Sequence, residues 1–426
     1  MRYFILLLFL TVKCFSQPRS DKELKDIILS SGDPLLREVI SHPEAYRYQI
    51  IYTRIDRNKN NKPSFHNYYL NVDSLAYFNP ASTVKMPLAF LSLEKLNKLK
   101  GRGIDMNTMM EFDSSRAWHR KLNRDSTSGS GKPSIAHFIK KALLVSDNDA
   151  YNRMYQFVGP QTTNRRLHEM GYPDLRISRQ FMGLTVDQNR YTNPIRFVNN
   201  SGTLIYLQPE GYNPDDINFS HINKMGKGYL NANDSLINEP IDFTFANNVT
   251  VEHLQKLLQS VMFPGSVPKR KRFQLSADDY EFLYRYLSQY PSETEHPKYD
   301  TAKFYDSYVK FFFRDSTHQV PAHVRVFNKV GWAYGCLTDV SYVADFKNNV
   351  EFMLTATIYV NADDILNDDK YEYETIGWPF MNKLGQALYA HELERLRKYK
   401  PDLKDFQMPY RKRSTDNRPV VSEVDN

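Results

Sequence analysis

Patterns typical of β-strands lie near the two ends of this chain, and a long middle section carries helical patterns instead. The five strand patterns are Tyr46–Asp56, Phe65–Val72, Val324–Val330, Thr338–Phe346 and Glu351–Val360. Strands bury an apolar face by pairing with other strands. The order therefore predicts an α+β fold, in which one antiparallel sheet is completed by N- and C-terminal segments and a mostly helical lobe packs beside it.

The middle and the end of the chain show apolar residues at helical spacing. The predicted helices are Ser82–Leu99, Ile135–Leu144, Ala150–Phe157, Thr163–Met170, Val251–Met262, Asp278–Tyr290 and Tyr373–Lys400. We predict one catalytic domain over 18–400 and a polar, disordered tail over 401–426. The predicted parts of that domain are a sheet lobe at 46–80 and 320–400 and a helical lobe at 81–319, with insertions at about 198–248 and 264–319.

The first 17 residues read as a cleavable signal peptide, with Arg2 before the apolar run Ile5–Leu10. We expect an exported, periplasmic protein, and lipid anchoring at Cys14 is the less favoured interpretation because Lys13 precedes it. No later stretch has the ~20 apolar residues of a membrane span. Once Cys14 is removed, Cys336 is the single cysteine, and we interpret it as a buried thiol.

The net charge indicates no nucleic-acid partner. Removing Arg2 and Lys13 leaves 54 basic and 49 acidic residues, so the formal charge falls from +7 to +5. This excess is too small for a nucleic-acid footprint. The expected partner is a small molecule.

Ser82 and Lys85 begin one of the predicted helices. Residues three apart share a helix face, so the Lys85 amine can reach the Ser82 hydroxyl and accept its proton. The same spacing recurs from Ser92 and from Ser307, which we interpret as ordinary surface residues because neither has companion motifs.

Two further motifs follow. Ser146-Asp147-Asn148 occurs once, between two helical patterns, where it is suited either to proton relay and amide binding or to capping a helix N-terminus. Lys329-Val330-Gly331 ends a predicted strand, where glycine permits close approach of a substrate and lysine supplies positive charge.

Together the three motifs resemble the S-x-x-K, S-D-N and K-T-G set of class A β-lactamases and penicillin-binding proteins, in the same order. The segments FNPAS before Thr83 and SDNDAYN from Ser146 strengthen the resemblance, which extends over about 46–400. It implies a β-lactamase/transpeptidase-like fold and a serine hydrolase that needs no cofactor and no metal.

The resemblance also implies a role for each matching residue. Ser82 would be the nucleophile, Lys85 its base and Ser146 the proton relay. Asn148, Lys329 and Gly331 would bind the substrate. The backbone N–H groups of Ser82 and Trp332 would form the oxyanion hole.

The sequence departs from the class A pattern in three ways. The segment 176–194 lacks the glutamate that activates the deacylating water in that family, and we expect its one carboxylate, Asp187, to lie in a surface loop. Val330 replaces the usual threonine. The motifs lie 64 and 183 residues apart, against roughly 60 and roughly 100 in the family.

These observations predict an exported enzyme that acts through an acyl-enzyme on Ser82, with β-lactam hydrolysis as the activity that the resemblance implies. The alternatives are a peptidase, esterase or amidase acting on cell-envelope material, or a penicillin-binding sensor that is acylated and never released. Peptidoglycan fragments are further candidate partners.

Overall fold

The computed structural model describes residues 17–216, 222–413 and 420–424. Within them, the strands are β1 (Gln49–Arg57), β2 (Pro63–Leu70), β3 (Met109–Phe112), β4 (Tyr191–Thr192), β5 (Ile195–Val198), β6 (Leu204–Gln208), β7 (Gly211–Tyr212), β8 (Lys224–Met225), β9 (Gly228–Leu230), β10 (Leu236–Ile237), β11 (Ile241–Asp242), β12 (Val324–Ala333), β13 (Cys336–Asp345), β14 (Val350–Tyr359) and β15 (Ile365–Leu366).

The α-helices of the described residues lie before, between and after these strands. They are α1 (Lys22–Ser30), α2 (Pro34–Ser41), α3 (Pro43–Tyr46), α4 (Lys85–Leu99), α5 (Ile135–Leu144), α6 (Asn148–Val158), α7 (Pro160–Glu169), α8 (Val251–Met262), α9 (Ala277–Ser288) and α10 (Trp378–Glu394). None of them is long and apolar enough to cross a bilayer.

The main sheet has five strands in the order β12-β13-β14-β1-β2, all antiparallel to their neighbours. The C-terminal strands pair with the N-terminal hairpin through β14 and β1, where Ile51 lies opposite Thr355. This confirms the predicted α+β class and the sheet shared by the two ends of the chain. Strand β12 lies at an edge, beside the helical lobe.

Alternating side chains of the sheet enter two separate cores, as the two-residue period of a strand requires. Ile50 and Val330 pack with α1, α2 and α10 on one face. Ile51 and Phe327 pack with α4, α8 and the rest of the helical lobe on the other. The sheet is therefore covered on both faces, and the helical lobe lies against one of them.

The C-terminal segment differs from the predicted disordered tail over 401–413 and 420–424. Leu403 and Phe406 are buried, the Tyr410 hydroxyl bonds to Ser288, and Val421 exchanges backbone hydrogen bonds with the chain around Tyr299. The prediction rested on polar composition and overlooked these few apolar residues, which are enough to attach the segment to the core.

The signal-peptide prediction falls almost wholly outside the described residues, of which only Gln17 belongs to it. Asp187 is exposed, as expected of a surface loop.

The interpretation of Ser92 and Ser307 as surface residues is wrong, because both are fully buried. The Ser92 hydroxyl donates to the Leu88 carbonyl one helical turn earlier, which explains how a serine is accommodated there.

Candidate active site

Ser82 lies in a short 3-10 turn, Ala81–Val84, that leads directly into α4. The Asn79 side chain accepts the Ala81 N–H at 2.9 Å, and the Thr83 hydroxyl donates to the Pro80 carbonyl at 2.7 Å. Ala81 has a φ of 43°, a left-handed conformation that non-glycine residues seldom adopt. Local hydrogen bonds thus fix a strained turn with the half-buried Ser82 beside an open cleft.

Lys85 follows one helical turn later and is completely buried. Its ammonium group donates to the Asn148 side-chain oxygen at 2.7 Å and to the Ser146 carbonyl, and it lies 3.4 Å from the Ser146 hydroxyl. The ring of Phe181 covers it, with the nitrogen 5.2 Å from the ring centroid. The first and second motifs are therefore in direct contact.

Ser146 takes a φ of 67° between α5 and α6. The helix-capping role belongs to Asp147, whose carboxylate accepts the Ala150 N–H at 2.8 Å and pairs with Lys141 at 3.2 Å. The flanking Ser146 and Asn148 can therefore face the cleft. The tripeptide was suited either to helix capping or to proton relay and amide binding. In the structure its central residue alone caps the helix.

Lys329 joins the third motif to the second. Its ammonium donates to the Ser146 hydroxyl at 2.9 Å and to the Val330 carbonyl at 2.7 Å. Complete burial is the main reason why the pKa of Lys329 lies well below its usual value, and the neighbouring positive charge of Lys85 lowers it further. The site thus holds two buried amines around one hydroxyl.

Gly331 lies against the turn that carries Ser82. A Cβ at this position would come within 2.6 Å of the Pro80 carbonyl and 2.8 Å of the Ser82 nitrogen. No side chain fits between the two backbones, which explains why glycine is needed here. Val330, by contrast, is buried in the core on the opposite face of the sheet, so it supplies no group to the cleft.

The hairpin register orients the Trp332 N–H. Tyr334 and Gly335 form a two-residue turn, and both have positive φ, as a type I′ turn requires. The Ala333–Cys336 pair next to the turn is then hydrogen-bonded, and the neighbouring Trp332–Leu337 pair is not. The Trp332 N–H therefore points away from β13, toward the open sheet edge at which the Ser82 turn lies.

Phe181 occupies the loop where the sequence lacks the class A glutamate. Its ring stacks on Tyr151 with centroids 4.3 Å apart, and its backbone N–H donates to the Asn152 side chain at 2.8 Å. An apolar ring next to Lys85 cannot act as a base toward water.

The cleft in front of Ser82 has a volume of about 550 Å³ and is rich in aromatic side chains, of which the motifs had indicated only Trp332, for its backbone N–H. These are Tyr77, Phe181, Phe243, Trp332, Tyr334, Tyr371 and Tyr373. The first predicted insertion, 198–248, contributes Phe243, Ala246 and Asn247 to the lining. The second, 264–319, contributes no lining residue and instead packs Tyr308 and Phe311 against the Trp332 ring.

A second buried network missed by sequence reasoning lies behind the Lys329 strand. Lys310 donates to the Asn328 side-chain oxygen at 2.6 Å, and Asn328 donates to Asp339 at 2.9 Å. Burial lowers the pKa of Lys310 to about 7 and raises that of Asp339 to about 7. The one sequence signal for this network was the S-x-x-K spacing from Ser307 to Lys310. In the structure Lys310 lies under the sheet and not in the cleft.

Cys336 is buried, and burial raises the pKa of its thiol to about 12. A thiol with so high a pKa is a poor nucleophile at neutral pH. The interpretation of this residue as a buried thiol is confirmed.

Residues 38–209 match a family model described as the β-lactamase enzyme family. No curated protein matches the chain. The matching solved structures include a β-lactamase from Streptosporangium roseum, at 16% identity and a TM-score of 0.45, over 83% of this chain and 96% of the other. They also include one from Xanthomonas campestris pv. campestris, at 12% identity and a TM-score of 0.46, over 86% and 97%.

The family match covers the N-terminal hairpin, the Ser82 turn and the Ser146 motif, and the shared sheet then brings in Lys329 from outside the matched range. The similarity to the β-lactamase enzyme family is thus located in residues 38–209, and the α+β fold joins that region to the Lys329 strand.

Proposed function

We propose that this protein is an exported serine hydrolase that forms an acyl-enzyme on Ser82, with β-lactams as its substrates. The observation that carries the proposal is the continuous set of contacts from Lys85 through Ser146 to Lys329, beside a half-buried serine in an open cleft. Three motifs far apart in sequence converge there on one hydroxyl.

The chemistry follows from these positions. The Ser82 oxygen attacks the substrate carbonyl carbon while its proton passes to an amine. Two buried amines around one hydroxyl disfavour a doubly protonated site, so one amine can accept that proton. The carbonyl electrons move onto oxygen, opposite the N–H groups of Ser82 and Trp332. When the C–N bond breaks, Ser146 donates its proton to the leaving nitrogen and regains one from the adjacent ammonium.

Among the described residues, the loop that faces Lys85 supplies no equivalent group for releasing the acyl group. A base must activate water while the ester occupies Ser82, and the residue facing Lys85 from the loop is Phe181. General-base assistance is typically worth about 10²–10⁴ in rate. We therefore propose that acylation proceeds normally and deacylation is slow.

The same observation supports a second candidate function, a penicillin-binding sensor that is acylated once. Hydrolysis and sensing share the first step and differ only in the lifetime of the ester on Ser82. An envelope peptidase or esterase would use the same residues on another acyl donor.

Fluorescent penicillin tests the shared step. We expect the wild-type protein to be labelled, the Ser82→Ala variant to remain unlabelled, and the Lys85→Ala variant to be labelled more slowly because its proton acceptor is gone. Labelling of Ser82→Ala at the wild-type rate would contradict the assignment of the nucleophile.

Export is part of the proposal and rests on the signal-like segment 1–17. N-terminal sequencing of the secreted or periplasmic protein should give a start near Gln17 or Pro18. Recovery of Met1 from that fraction would contradict cleavage.

A further inference from the structure

A second cavity of about 830 Å³ adjoins the cleft in front of Ser82. Four residues line both spaces: Arg179, Phe243, Tyr334 and Asn367. The outer cavity is walled largely by residues 224–242, which belong to the first predicted insertion. The two spaces therefore adjoin at Arg179, and we call this shared wall the junction.

Arg179 is held at the junction by its backbone. Its N–H donates to the Asn247 side chain at 3.1 Å, and its carbonyl accepts the Tyr151 hydroxyl at 2.8 Å. Within the described part of the chain, its guanidinium forms no ion pair with a carboxylate, whereas Arg165 and Arg196 pair with Asp215 and Glu111. An arginine whose backbone is held at a cavity wall and whose guanidinium has no acidic partner among the described residues is suited to bind an anion.

Tyr77 provides a second, independent observation. Its hydroxyl is buried in the wall of the same cleft and has no hydrogen-bond partner among residues 17–216, 222–413 and 420–424, which is rare for a buried polar atom. Burial raises the pKa of Tyr77, and the positive charges of Arg176 and Arg179 oppose that rise. The hydroxyl therefore stays protonated beside a cation and is available to donate a hydrogen bond.

The acidic residues around the two cavities limit where an anion can lie. Asp369 is exposed at the rim of the cleft. Glu239 and Asp242 line the outer cavity, and Lys224 lines the same cavity with a positive charge. Of the four residues that line both cavities, Arg179 alone is charged, so the positive charge at the junction is that of its guanidinium.

We propose that the junction binds a carboxylate carried by the substrate away from the bond that is cleaved, with Arg179 as the ion-pair partner and Tyr77 as a hydrogen-bond donor. This inference rests on the proposed function, and it defines the substrate class as acyl donors with a second, anionic end.

Pairs of esters of equal chain length test the inference. The anionic 4-nitrophenyl monoadipate is compared with the neutral 4-nitrophenyl hexanoate, and the anionic monosuberate with the neutral octanoate. We expect the wild-type protein to have the higher kcat/KM for the anionic ester. The quantity compared between variants is the ratio of kcat/KM for the anionic ester to kcat/KM for its neutral counterpart. The Arg179→Gln variant should lower this ratio at least about tenfold, since hydrogen bonds to charged groups are worth that much. Arg179→Lys should retain part of the preference.

Two variants serve as comparisons. Tyr77→Phe removes a hydroxyl that bonds to none of the described residues, so it should lower the ratio without lowering the melting temperature. Lys224→Gln removes an exposed cation of the outer cavity and should leave the ratio unchanged. If both esters acylate Ser82 and Arg179→Gln keeps the wild-type ratio, the junction is not an anion site. If neither ester acylates Ser82, the proposed function itself fails.

Discussion

At the scale of single residues, Phe181 decides the balance between acylation and release. Its ring lies over Lys85 and stacks on Tyr151, while Asn152 holds its backbone at both the N–H and the carbonyl. Because the backbone is fixed by a neighbouring side chain, the Phe181 side chain can be exchanged with little effect on the path of the loop.

The Phe181→Glu variant should therefore release a penicilloyl group faster than the wild type, by up to about a hundredfold, because a carboxylate beside the ester can take a proton from water. The measurement is the decay of the Ser82 adduct by intact-mass spectrometry. Phe181→Leu is the matched control, since it removes the ring without supplying a base. Equal decay rates in the two variants would show that Phe181 does not block release.

The site residues show what sequence can and cannot predict at this scale. Ser82, Ser146 and Lys329 could be identified because short motifs preserve their local order. The structure places Ser82 and Ser146 in one cleft and bonds Lys329 to Ser146. Tyr77 and Arg179 belong to no motif. Their proximity depends on how two distant loops fold against each other, which neither spacing nor periodicity encodes.

Among secondary-structure elements, the contact between β12 and the Ser82 turn matters most for catalysis. Gly331 permits that contact, because any Cβ would meet the Pro80 carbonyl and the Ser82 nitrogen at less than 3.0 Å. These are backbone atoms, which cannot move aside without displacing the turn or the strand.

Gly331→Ala should reduce the rate of Ser82 acylation at least about a hundredfold, because separating the turn from the strand misplaces the oxyanion donors. Circular dichroism should remain that of the wild type, since β12 is an edge strand. Gly265→Ala is the control, because a Cβ there meets no atom within 4 Å. Acylation of Gly331→Ala at the wild-type rate would contradict the assignment of the oxyanion hole.

Element boundaries were predictable where a capping residue marks them. Helices α5 and α8 have the predicted bounds, and Ser134 and Thr250 cap their N-termini. The predicted helix Tyr373–Lys400 is shorter in the structure. It begins at Trp378 after a π-helical turn and ends at Glu394, where Arg395 turns away to pair with Asp56. That partner is 339 residues distant along the chain, so no local pattern could indicate it.

At the scale of the whole molecule, the shared sheet explains how motifs separated by 183 residues meet. The chain leaves the sheet after β2, builds the helical lobe and returns through β12 at the sheet edge. Strand patterns at both ends were sufficient to predict this. Helices α1 and α2, which cover the opposite face, were not predicted, because they are short and their stability comes from packing on the sheet.

The central claim is that Ser82 is acylated and then released slowly. The most direct measurement is the intact mass of the wild-type protein over time after a short exposure to benzylpenicillin and removal of the excess. We expect a single added penicilloyl mass that maps to Ser82 and persists well beyond the time needed to form it. Rapid turnover of benzylpenicillin with no detectable adduct would contradict the account, because it would require a deacylating base that Phe181 cannot supply.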